Sequence, residues 1–244
     1  MKKLTPYWII VIVLVMGLVG CSNQNTDNED AAAMPYTVTI DPANFVTVID
    51  NPYMPLIPGT TRIYEGETED GTERVEVTTL SETKQVMGVT VTIVRDTVYL
   101  DGVLLEDTHD WFAQDKQGNV WYFGEEVDNY EDGILADHHG AWQAGVDGAL
   151  PGIVMVAHPA DHIGEPYRQE YFVGEAEDMG EVLSVTETVT VPFGTFTTVV
   201  QTKDWTPLEP GVLEHKFYAP GVGVIKELAV DSGETVELIE VISE

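Results

Sequence analysis

The chain is short of several things whose absence narrows its chemistry. It has one cysteine, Cys21, so no disulfide can form within it, whatever the redox state of its compartment. It holds 11 basic residues against 42 acidic ones. Such a surface repels phosphate backbones, which excludes nucleic acid as a partner. It has no Gly-x-Ser-x-Gly elbow, no phosphate-cradling Gly-x-x-x-x-Gly-Lys loop, no His-Glu-x-x-His and no Cys-x-x-Cys. Paired carboxylates are so common that none singles out an acid–base pair, and His109-Asp110 is the only local candidate for a hydrolase. The expectation is a protein that is not an enzyme. Beyond the first twenty residues no 3.6-residue apolar stripe runs longer than about ten residues, so long amphipathic helices are not expected.

What is present begins with an address. Met1-Lys2-Lys3 is followed by an almost wholly apolar run from Tyr7 to Val19, then by Gly20 and Cys21. A basic start, about a dozen apolar residues and a small residue before the cut describe a secretory signal, and the run is shorter than the ~20 residues of a spanning helix. Leu18-Val19-Gly20-Cys21 resembles the lipobox of bacterial lipoproteins. That resemblance implies removal of residues 1–20 and acylation of Cys21, with chains such as palmitate holding the protein on a membrane. Residues 21–35 are small and polar and read as a tether. Ser22 carries no acidic retention signal, which favours the outer membrane in a cell that has one. Loss of Lys2 and Lys3 leaves nine basic residues and a formal charge of −33 on the mature chain.

The rest reads as β structure. Period-two alternation of Val, Thr and Ile marks Thr37–Ile40, Arg74–Thr78, Val89–Val94, Thr188–Val191 and Thr235–Ile239 as strands. Turn signals at 69–71, 101–102, 117–119, 132–133, 192–194, 220–221 and 232–233 separate them. A short helix or irregular stretch is expected over Gly140–Ala157.

Two stretches look alike at an offset of 105 to 106 residues. Ser81–Val94 matches Val185–Val200, Trp111-Phe112-Ala113 matches Phe217-Tyr218-Ala219, and a glycine turn with a strand closes each. The expected fold is therefore mainly β: antiparallel meanders in two related units, residues 36–150 and 151–244, forming one body as a curved sheet, open half-barrel or sandwich.

Val191–Phe196 and Tyr218–Glu227 resemble motifs of uncharacterised bacterial envelope lipoproteins. Asp110–Asp115 and Gly118–Glu125 resemble a hallmark of their secreted or lipid-anchored members. The resemblance implies a curved β-sheet like that of periplasmic lipoprotein carriers and a place in the cell envelope. It implies no activity.

Two kinds of site are expected. Glu175, Glu177 and Asp178 follow a strand and carry the oxygens that Ca²⁺ or another hard cation takes; Glu65–Gly71 and Asp128–Gly133 are similar acidic turns. Trp111, Trp121 and Trp142 belong to an aromatic crowd that can line a pocket for an apolar ligand. His138, His139, His158 and His162 suit Zn²⁺ or Cu²⁺ less well, because neighbours on a strand face opposite ways. The function expected is a lipid-anchored extracytoplasmic binding protein for a hard cation or an apolar ligand. The alternative is a structural or assembly lipoprotein with envelope protein partners.

Overall fold

The computed structural model describes residues 36–243. Cys21 and all of the residues read as signal and tether lie outside the described residues. Among those described, helix is confined to two single 3₁₀ turns, Pro42–Asn44 and Pro159–Asp161, and no helix is long and apolar enough to cross a membrane. The remainder is built on sixteen strands.

The first unit contains β1 (Phe45–Val46), β2 (Thr60–Thr68), β3 (Gly71–Val86), β4 (Val89–Leu100), β5 (Val103–Asp115) and β6 (Val120–Glu131). Three shorter strands follow: β7 (Ile134–Asp137), β8 (Trp142–Gln143) and β9 (Leu150–Met155). The second unit has β10 (Pro166–Arg168), β11 (Glu170–Tyr171), β12 (Met179–Val191), β13 (Gly194–Trp205), β14 (Leu213–Ala219), β15 (Gly223–Ala229) and β16 (Thr235–Ser243). All belong to one sheet, whose main path runs β10-β12-β13-β14-β15-β16-β2-β3-β4-β5-β6-β9-β11 with antiparallel neighbours along the strands it joins. The turns set the hairpins where the sequence places them: Asp101-Gly102 joins β4 to β5, and Pro192-Phe193 joins β12 to β13.

The two similar stretches fold alike. β3–β6 and β12–β15 are each four-stranded antiparallel meanders, and β16 pairing with β2 joins them in one sheet. The boundary expected between residues 150 and 151 falls inside β9, which pairs with β6 of the first unit, so the sheet runs through it.

The two ends of the sheet meet in one segment. Pro166–Arg168 pairs with β12, while Glu170 and Tyr171, two residues on, pair with Pro151 and Leu150 of β9. The strap 166–171 thus bridges both edges and nearly closes the sheet into a barrel, which satisfies backbone groups that an open edge would expose. It lies tight against its neighbours. A Cβ on Gly152 would stand 2.5 Å from the carbonyl oxygen of Arg168, and one on Gly180 would stand 2.7 Å from the Tyr167 ring. Glycine is what lets these chains approach.

Two expectations are corrected. Thr37–Ile40 alternates like a strand but pairs with nothing, since the neighbouring chain at β5 takes only Phe45 and Val46. Gly140–Ala157 takes the irregular alternative as far as Ala149, apart from a two-residue strand, and departs from it after that as β9. It holds β8, β9 and a turn closed by Gly145 N–H donating to Ala149 O at 2.8 Å, because its apolar residues cover β6 rather than one another.

The family-like motif at the β5–β6 turn has a structural job. Gln114 Oε1 accepts from the backbone of Asp50 and Asn51 at 2.9 and 2.8 Å, and Asn51 Nδ2 donates to Gly118 O at 2.8 Å. Asp115 accepts from Trp121 Nε1 at 2.9 Å. Together these bonds pin the loop 49–56 over the end of the barrel.

Inside, two apolar clusters form. The larger surrounds Phe112, Tyr122, Phe123 and Met155; the smaller surrounds Tyr64, Val75, Ile225 and Leu238.

Candidate functional site

A cavity of about 110 Å³ lies between the two clusters. Strand alternation decides what reaches it. From β2 and β3 come Arg62, Tyr64, Val75 and Val77; from β4 and β5 come Val94, Asp96, Asp110 and Phe112. The far wall carries Asp204 of β13, Lys216 and Tyr218 of β14, and Glu227 of β15. Gln169 of the strap and Met54, Pro55 and Leu56 of the pinned loop also line it. The register brings these together: Val77 sits opposite Asp96, Asp110 opposite Val94, and Lys216 between Thr202 and Glu227.

The charge inside is unbalanced. Arg62 spends its guanidinium on carbonyls, Nε to Val222 O at 2.6 Å and Nη2 to Pro55 O at 2.7 Å. Lys216, only 7% exposed, stands 3.5 Å from Glu214 and 3.8 Å from Asp204. Burial alone would lower its pKa, but Glu214, Glu227 and Asp204 around it raise it well above the ordinary lysine value and keep it charged. Asp110 accepts a 2.7 Å hydrogen bond from the Tyr122 hydroxyl. Burial still pushes its carboxyl up to about 7. Asp96 is driven well above the usual carboxylate range by burial first, then by Asp110, Glu106 and Glu227. Glu227 and Asp204 are raised too, again chiefly by burial, with Lys216 opposing.

Beyond the cavity wall the acidic interior continues. Burial lifts Glu125, Glu170 and Glu214 well above their usual values, Glu106 and Asp178 to about 7, and Glu73 to about 8.

Some of these groups want hydrogen-bond partners. Asp96 is 3% exposed and its Oδ1 has none within the protein; Asp204 is 8% exposed and neither of its oxygens has one. Thr202 and Gln169 lie close enough to lower the pKa of Asp204, but neither completes a hydrogen bond of good geometry. A buried polar group left so is costly, by about 1–3 kcal/mol, and its presence in a cavity wall marks a place where a donor from outside fits.

The residues expected from sequence fall elsewhere. Glu175 is exposed, Glu177 accepts from Gly174 N–H at 2.9 Å, and Asp178 turns inward beside Thr206 and Arg168. Among the described residues no group of three His, Cys, Asp or Glu is arranged to hold a metal ion, this trio included. The three lie in the connection between β11 and β12, where Glu175 is in an exposed turn and Asp178 turns inward just before β12, which keeps them apart. The tryptophans do not line the cavity either. Lys84 Nζ lies 3.2 Å from the centroid of the Trp111 ring, Trp121 bonds Asp115, and Trp142 meets Tyr122 edge-on at 5.5 Å. The cavity's aromatic walls are Tyr64, Phe112 and Tyr218 instead. His109 and Asp110 lie on successive positions of β5, with Asp110 inward, so the pair does not share a face. His138 is exposed and His162 half-buried, and they bond Asp128 and Glu165 at 2.7 and 2.9 Å.

Asp96, Asp204, Lys216 and Glu227 were missed, yet a signal existed. Val94-x-Asp96-x-Val98 and Lys216-x-Tyr218 put a charge on the apolar phase of a strand. In so acidic a chain, the acids looked like surface decoration.

No family model matches this chain, and no curated protein matches it. Among solved structures, a candidate lipoprotein from Parabacteroides distasonis is similar at 13% identity and a TM-score of 0.36, covering 78% of this chain and 98% of its own.

Proposed function

We propose that this chain is a lipid-anchored, extracytoplasmic binding protein that holds a small ligand in the cavity of its nearly closed sheet and performs no covalent chemistry on it. The observation that carries this reading is the cavity itself. Apolar walls of Val, Phe and Tyr converge with a few buried polar groups, among them Asp96 Oδ1 and the carboxyl oxygens of Asp204, which lack hydrogen-bond partners in the protein. That combination is characteristic of small-molecule sites, where apolar surface supplies affinity and a few polar groups fix orientation. The address rests on the signal and Cys21. Cys21→Ser should abolish labelling by radioactive palmitate and move the protein from the membrane fraction to the soluble one; unchanged labelling would contradict acylation at Cys21.

The binding reading is tested with residues 22–244 and the variant Val77→Phe, which pushes a ring into the cavity beside Asp96. A ligand of the cavity should raise the melting temperature of the parent chain and not of the variant. Ligands that stabilise both equally would place binding elsewhere. An assembly role has one observation in its favour: the short strand β7 pairs only with β6 and leaves Ile134 72% exposed. Ile134→Lys should then abolish cross-linking to an envelope partner while leaving ligand binding intact.

A further inference from the structure

We infer that the cavity takes a small organic cation, with an ammonium group meeting Asp96 and an apolar body lying along Phe112 and Tyr218. The inference rests on the cavity being the binding site and names the class of molecule it receives.

The wall holds four carboxyl groups, Asp96, Asp110, Asp204 and Glu227, against two basic side chains, Arg62 and Lys216. Neither base hydrogen-bonds Asp96 Oδ1, although the charge of Lys216 acts on Asp96 from a distance. Arg62 is engaged by the carbonyls of Val222 and Pro55, and Lys216 is shared between Glu214 and Asp204. Asp96 Oδ1 is therefore left without a donor inside a wall that already favours positive charge. An anion would meet four carboxyl groups at once. A bare metal ion needs several oxygen or nitrogen ligands gathered round it, and no such group of three exists among the described residues. An ammonium group needs only one or two acceptors, and its carbon body suits the apolar remainder of the wall. Size agrees: a cavity of ~150 Å³ lined by apolar side chains holds one benzene, so about 110 Å³ fits one molecule of comparable bulk.

The test uses three probes of nearly equal shape: n-hexylammonium, 1-hexanol and hexanoate, titrated calorimetrically into residues 22–244. This span contains the whole sheet and both apolar clusters. Hexylammonium should bind at least tenfold more tightly than hexanol, and hexanoate should not bind. Asp96→Asn keeps the shape and removes the group that ionises against an ammonium; it should weaken hexylammonium at least tenfold and leave hexanol unchanged. Should Asp96→Asn fail to fold, Asp204→Asn replaces it with the same expected direction. Equal affinity for hexylammonium and hexanol, or an unchanged hexylammonium affinity in the folded variant, overturns the cationic class while the cavity stands as a site. Failure of all three probes, or binding that survives Val77→Phe, overturns the cavity as the site as well.

Discussion

At the scale of single residues, the interior is a set of carboxyl groups whose pKa values burial raises. Glu73 is the most readily tested because it is 3% exposed, lies outside the cavity wall, and has its pKa pushed up to about 8 by burial, then by Glu227 and Glu234. A carboxyl whose pKa is raised on folding stabilises the fold below its ordinary value and loses that contribution as pH climbs through the raised one. Glu73→Gln removes the titration while keeping nearly the same shape. It should therefore raise stability at pH 9 by roughly 1–3 kcal/mol and change it little at pH 5, measured by urea unfolding at both. An equal effect at both pH values would mean that Glu73 is not protonated on folding. Such residues were legible only in outline. Alternation marked the strands carrying Asp96 and Lys216, but whether a charge points in or out depends on strand partners far along the chain, as with Asp96 and Val77 across β3 and β4.

At the scale of elements, turn chemistry was the most readable feature, since Asp-Gly and Pro-Gly pairs demand particular backbone angles wherever they occur. The four-strand layouts of β3–β6 and β12–β15 follow from those turns. Their shared offset also sets Asp110 against Lys216 and Phe112 against Tyr218, all four in the cavity wall. The strap 166–171 was not readable, because it pairs as two half-strands of three and two residues, too short for any periodic signal. Closure depends on Gly152, where a Cβ would press on the backbone of Arg168 and Gln169. Gly152→Ala should lower stability by about 1–3 kcal/mol, the range of overpacked interiors, and should speed hydrogen exchange at Tyr171 N–H more than at Val98 in the middle of β4. Uniform acceleration across the sheet would show that the strap does not open as a unit.

At the scale of the whole molecule, two electrostatic contributions run in the same direction. The chain carries a formal −31 that repels itself, and the interior acids with pKa near 7 to 8 bind protons in the folded state that the unfolded chain releases at about 4. Between pH 5 and 8 the folded state thus holds more protons than the unfolded one. Stability must fall as pH rises, by ~1.4 kcal/mol per pH unit for each extra proton held. Salt separates the two sources, since 1 M salt screens exposed charges beyond about 3 Å but acts weakly on buried ones. A melting temperature that declines from pH 5.5 to 8 and keeps most of that slope in 1 M NaCl is the expected outcome. A slope abolished by salt would assign the effect to the surface alone.

The same interior that strains at neutral pH is what an organic cation would relieve, and the most direct measurement looks for that occupant. The protein is purified from its native cells in mild detergent at neutral pH, and its mass is taken by non-denaturing mass spectrometry alongside that of Val77→Phe prepared identically. A cavity that serves as a binding site should carry a discrete small-molecule adduct, lost on unfolding and missing from the variant. An adduct of the same mass on both proteins, or a bare chain in both, would contradict ligand binding in the cavity.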